Sequence, residues 1–133
     1  LVHSKKEPEY WEWDEESQSY AAKDRSCTVS RIFLDCDNHN LAEVVADVVR
    51  LVTANSFAVE SFRVFESSEI SYHVVLQLSY PGTFEAALNV ARCAKTCDPK
   101  YLDWVAKRRM FSRRVTGRGE YAPTEVFCGR FSQ

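Results

Sequence analysis

The sequence predicts an α+β fold, one sheet with its helices gathered on a single face, preceded by an N-terminal extension. Three observations lead there. The chain has 133 residues, enough for one continuous core but short of two. Its apolar period switches repeatedly between two and 3.6 residues. From residue 28 onward those switches run β-α-β-β-α-(α)-β.

Residues 1–27 form the extension. "PEYWEWDEES" mixes Tyr10, Trp11 and Trp13 with acids and shows no clean period. Three large aromatics in so short a stretch favour an arm packed against the domain, with ordering on a partner as the other reading. The domain proper is assigned to residues 28–133. "TVSRIFLDC" reads as a strand, with Ile32, Leu34 and Cys36 alternating with Arg31, Phe33, Asp35 and Asp37. A helix follows in "NHNLAEVVADVVRLVTANS", capped near Asp37 to Asn40, with Leu41, Val44, Val45, Val48, Leu51 and Val52 at helical spacing. "AVESFRVFES" and "SYHVVLQLSY" alternate as two strands joined by a short polar connection around Ser67 to Ile70. "GTFEAALNVARCAKT" is a second helix. Asp98 as N-cap and Pro99 at the first helical position start a third in "DPKYLDWVAKRR". "MFSRRVTG" is the expected last strand.

This order is the split βαβ, the ferredoxin-like or RRM-like arrangement. Its first and third strands lie side by side and antiparallel. The C-terminal end of the first strand, with Asp35 and Asp37, therefore meets the start of the third, Ser71-Tyr72-His73. Residues at i and i+2 of a strand share a face, so the two carboxylates and the imidazole are expected on the face away from the helices. The last strand is expected beside the first, bringing Arg113 or Arg114 toward the same surface.

Composition narrows the chemistry. The hydrophobic fraction is 45% and the charged fraction 27%, ordinary values for a globular protein. No apolar run approaches the roughly 20 residues of a membrane helix, and the first residues lack the apolar core of a secretory signal. An intracellular (cytoplasmic) location without membrane contact is expected. The formal net charge of −2 is uneven. Residues 100–120 carry seven basic groups against Asp103 and Glu120. Such a block is either a solvated face or a phosphate-contacting surface. Five cysteines, an odd number, argue against a fully paired secreted framework. Cys93 and Cys97 are spaced i, i+4 on an expected helix. Buried free thiols are the expectation, with a long-range metal site through Cys27, His39 or Cys128 left open.

Asp35-x-Asp37 followed by Ser71-x-His73 on the strand after a hairpin resembles the catalytic core of the archaeo-eukaryotic primase superfamily, including the primase-polymerases of plasmids and viruses. "FRVFESSEISYHVVLQL" looks like that family's strand-turn-strand leading into its histidine. "CDPKYLDWVAKRRMFSRRVTGRG" is similar to the segment that follows. The resemblance spans residues 29–119, about two thirds of the chain. It implies a minimal or degenerate nucleotidyltransferase acting in DNA replication. Asp35 and Asp37 would hold Mg²⁺ or Mn²⁺, with Asp98 or Asp103 standing for the family's third acid. Asp35, Asp37 and His73 would form the catalytic set, and Ser71, His73, Arg113 and Arg114 would contact nucleotide. Nucleotides, DNA or RNA, and a helicase or other replication protein are the implied partners. The alternative is a non-enzymatic RRM-like module that stacks bases on Phe33, Phe65 or Tyr72. A third reading, a rolling-circle nickase, would use Tyr101 as nucleophile.

Overall fold

The computed structural model describes residues 11–15, 18–22, 28–55, 58–111 and 124–130. Two short strands, β1 (Trp11–Asp14) and β2 (Ser19–Ala22), form an antiparallel hairpin of their own. The domain follows as β3 (Thr28–Asp37), α1 (Leu41–Ala54), β4 (Val59–Ser68), β5 (Ser71–Thr83), α2 (Phe84–Ala91), α3 (Pro99–Arg108) and β6 (Thr124–Arg130). It is an α+β fold with a four-stranded antiparallel sheet in the order β3-β5-β4-β6. β5 inserts between β3 and β4, which is what makes the βαβ unit split.

The alternation read in the sequence sets the core. Ile32, Leu34 and Cys36 of β3, Phe62 and Val64 of β4, and Val74 and Leu76 of β5 are essentially inaccessible. They pack with Val44, Val48, Leu51 and Val52 of α1 and Ala87, Leu88 and Ala91 of α2. α1 starts on a capping box: Asn40 accepts from the Glu43 amide while the Glu43 carboxylate accepts from the Asn40 amide. α3 starts at Asp98, whose side chain accepts from the Lys100 amide at 3.0 Å, with Pro99 in its first turn.

Three features depart from the expectation. First, α2 ends at Ala91 rather than near Thr96. The reason is tertiary. The Thr96 amide and hydroxyl both donate to the buried Asp47 carboxylate of α1 at 2.8 Å, and Arg50 donates to Asp47 at 2.6 Å and to the Cys93 carbonyl at 2.7 Å. These bonds hold residues 93–96 away from a helical path.

Second, β6 flanks β4, not β3. The outer edge of β3 already has donors. The Asp98 amide bonds the Asp35 carbonyl at 2.8 Å, and the Tyr101 hydroxyl bonds the Phe33 carbonyl at 2.7 Å. The linker before α3 thus covers the edge that an added strand would need. Met110 and Phe111 are outside any strand. The rest of the expected last strand, with Arg113 and Arg114, lies outside the described residues. β6 instead seats Phe127 on Phe62, ring centroids 5.6 Å apart.

Third, part of the extension is a hairpin, with β2 running beside α3. Its strands have four residues each, too few to show a period in a sequence window. Trp13 is half exposed, and residues 1–10 and Cys27 lie outside the described residues.

Candidate functional site

The β3–β5 ladder pairs Asp35 with His73 and Asp37 with Ser71. Directly opposed residues of an antiparallel pair share a face, so all four side chains leave the sheet on the side away from α1 and α2. His73 Nε2 lies 3.4 Å from Asp35 Oδ1, with the side chains 21% and 30% exposed. That is ion-pair distance for a protonated imidazole, but the alignment is not that of a hydrogen bond. Asp35 Oδ1 and, at the other ring nitrogen, His73 Nδ1 are buried with no hydrogen-bond partner. Orphaned polar atoms of this kind are few in folded proteins. One step further along, Ser71 Oγ donates to Asp37 Oδ1 at 2.6 Å.

The helix-capping role that the sequence also offered Asp37 falls to Asn40 and Glu43. The chain leaves Asp37 through Asn38 in the left-handed region (φ 67°), a conformation asparagine tolerates. The Asn38 and His39 amides then donate to the Ile70 carbonyl at 2.7 and 3.3 Å. The β4–β5 turn thus holds the end of β3 in place, and both carboxylates remain on the sheet face.

The candidate third acids are placed differently. Asp98 spends its carboxylate on the α3 cap, and only its amide touches Asp35, through the backbone. Asp103 is exposed on α3. Among the described residues, no three or more His, Cys, Asp or Glu side chains gather as a metal-binding group. Cys93 and Cys97 do not share a helix face, because α2 stops before them. Cys93 is exposed, whereas Cys97 and Cys36 are buried. Burial pushes the Cys36 thiol up to about 12 and raises Cys97 as well.

The remainder of this face is not an aromatic platform. Phe33, Phe65 and Val75 are buried at 0%, 8% and 6% exposure. Arg31 lies over the Phe33 ring at 5.7 Å and Arg63 over Phe65 at 5.0 Å. Tyr72 is buried on the opposite face, its hydroxyl donating to the Glu69 carbonyl and to Glu66. Tyr101, the candidate nucleophile of the nickase reading, donates to a β3 carbonyl at the sheet edge. The sequence reading passed over Arg31 and Arg63. The signal for Arg31 was present, since it precedes Asp35 by four residues in the same alternation. Arg63 needed the register of β4, which the sequence does not state. Comparison of the chain with protein-family models, with curated proteins and with solved structures found no match.

Proposed function

We propose that the domain is a divalent-metal-dependent nucleotidyltransferase core of primase-polymerase type, in a minimal form, acting on nucleotides and DNA or RNA during replication. The observation that carries the reading is the pair of cross-strand contacts, Asp35 with His73 and Asp37 with Ser71, and the orphaned Asp35 Oδ1 between them. A carboxylate oxygen without a donor suits a hard cation. Mg²⁺ is commonly held by only one or two carboxylates, with water and substrate phosphates completing its shell. Asp35 and Asp37 meet that requirement even without a third acid. When bound, Mg²⁺ or Mn²⁺ supplies charge neutralisation to phosphate oxygens.

In this reading Asp35 and Asp37 are the oxygen ligands. Ser71 fixes the rotamer of Asp37 through its short hydrogen bond. His73 stands opposite Asp35, and its Nε2, the ring nitrogen that faces Asp35, is the one that would serve a nucleotide phosphate. A helicase or other replication protein is the partner such a core would serve. Isothermal calorimetry with Mn²⁺, with and without a nucleoside triphosphate, tests the proposal. Mn²⁺ binding by the intact protein that disappears in Asp35→Asn/Asp37→Asn, with unchanged circular dichroism, is expected. Absence of metal and nucleotide binding by the intact protein sinks it. Salt-sensitive oligonucleotide binding in a chain that binds neither Mn²⁺ nor nucleotide favours the non-enzymatic alternative.

A further inference from the structure

Arg31 is a half-buried cation whose charge no carboxylate among the described residues balances. Its Nε is buried and has no hydrogen-bond partner. Among the described residues no carboxylate pairs with it, and the one charge that acts on it is of like sign, from Arg63. Arg63 is itself neutralised, since it grips Glu125 through two hydrogen bonds of 2.7 and 3.1 Å. Burial first, and Arg63 second, pull the Arg31 guanidinium below its usual value. The Phe33 ring beneath it offers a cation–π contact at 5.7 Å. That contact does not supply the acceptor that the buried Nε lacks.

Two further orphans lie at the same end of the sheet. The β3–β5 register breaks between Val29 and Arg31, where Val29 faces Gly82 and Arg31 faces Gln77. Around that bulge, Ser30 Oγ and Ser79 Oγ are buried without hydrogen-bond partners. The Gln77 amide opposite Arg31 is occupied, donating to the Ser30 and Leu78 carbonyls. Unlike those two hydroxyls, the guanidinium is a planar fork of donors matched to a tetrahedral oxyanion. Bulges are also frequent beside functional sites.

We propose that Arg31 anchors a phosphate-binding subsite at the bulged end of the β3–β5 pair, distinct from the Asp35–His73 pair. Arg31 and Asp35 share a face four residues apart, about 13 Å along the strand. Phe33, fully buried between them, keeps the two subsites separate. The identification of the phosphate as one carried by a nucleotide or a nucleic-acid strand rests on the function proposed above. The anion site itself rests on the buried Arg31 Nε, which has no hydrogen-bond partner.

The test is equilibrium binding in a metal chelator at low salt, with inorganic pyrophosphate, a nucleoside triphosphate and a single-stranded oligonucleotide as probes. The wild-type chain binds at least one of them, and Arg31→Gln weakens that binding roughly tenfold or more. Pyrophosphate or triphosphate binding assigns the subsite to a nucleotide. Binding of the oligonucleotide alone assigns it to a strand. Asp35→Asn/Asp37→Asn retains this metal-free binding, so failure of the metal site and failure of the phosphate subsite read out separately. Thermal stability of Arg31→Gln equals or exceeds that of the wild type, because an unbalanced charge has been removed. If Arg31→Gln does not fold, Arg31→Lys carries the test, since it keeps the charge and loses the fork. No binding of any probe by the wild type, or unchanged binding by the variant, overturns the proposal.

Discussion

Replacing Asp47 by alanine tests how the fold holds the α2–α3 linker against the candidate site. Asp47 is 8% exposed on α1 and accepts from the Thr96 amide, the Thr96 hydroxyl and Arg50. Two residues after Thr96, the Asp98 amide bonds the Asp35 carbonyl. The carboxylate therefore anchors the segment that lines the edge of β3 beside the site. Asp47→Ala strands both Thr96 donors, and Thr96 is itself 8% exposed. Each stranded donor costs about 1–3 kcal/mol. Arg50, with its side chain 45% exposed, returns to water at little cost. Admission of water to the vacated volume favours the lower half of that range, so the expected loss is about 3 kcal/mol.

Urea unfolding followed by circular dichroism measures it. With a slope of about 2 kcal/mol per molar urea, the midpoint falls by roughly 1.5 M. Asp47→Asn keeps an acceptor for Thr96 and loses less, about 1–2 kcal/mol. The pH dependence gives an independent check. Burial disfavours the charged carboxyl, but hydrogen bonds from Arg50 and Thr96 outweigh it, and Asp47 titrates below its usual 3.8. With the folded value below the unfolded one, its ionic contribution is complete above roughly pH 5 and is lost as pH falls through the folded value. The gap between wild type and Asp47→Ala thus narrows on acidification below about pH 4. A loss under about 1 kcal/mol at pH 7, or a gap that widens in acid, refutes the reasoning.

Three further outcomes are expected. A Cβ on Gly129 would meet Phe62 Cε1 at 2.5 Å and Cζ at 2.9 Å, against a ring that is 2% exposed. Gly129→Ala should therefore destabilise by about 1–3 kcal/mol in thermal or urea melts, and a neutral result would mean that β6 shifts freely. Tyr101→Phe removes the donor to the Phe33 carbonyl at the β3 edge and should lower stability by about 1 kcal/mol, with faster amide exchange in β3. Cys93 and Cys128 are exposed, whereas Cys36 and Cys97 are buried with raised thiol pKa values. A maleimide at pH 7.5 should label the first two rapidly and the second two only after unfolding, as peptide mass spectrometry would show.

The legible part of the fold was local. Alternation over Arg31 to Asp37 marked β3 and identified both of its faces. Asp98-Pro99 marked the start of α3, and Asn40 with Glu43 completed a cap that the sequence placed only within Asp37 to Asn40. The facing of Asp35 and Asp37 by His73 and Ser71 followed from element order, because β5 must return antiparallel beside β3. The hydrogen-bonding state of those side chains did not follow. That Asp37 takes the Ser71 hydroxyl while Asp35 Oδ1 remains orphaned depends on rotamers set by the packed sheet.

Other features were decided at long range. The early end of α2 comes from Asp47, 49 residues before Thr96. The choice of sheet edge for β6 comes from Asp98 and Tyr101 occupying β3, and the charge imbalance at Arg31 from Glu125 satisfying Arg63 instead. By itself, the sequence determined β3, α1, β4, β5 and the start of α3, which residues share a face, and which two strands bring carboxylates and imidazole together. Those depend on periodicity, caps and connection order, which act between near neighbours. Only the tertiary structure decided which edges remain open and which polar atoms remain without partners. Hydrogen bonds saturate, and the partner that reaches a donor or acceptor first in space can come from anywhere in the chain.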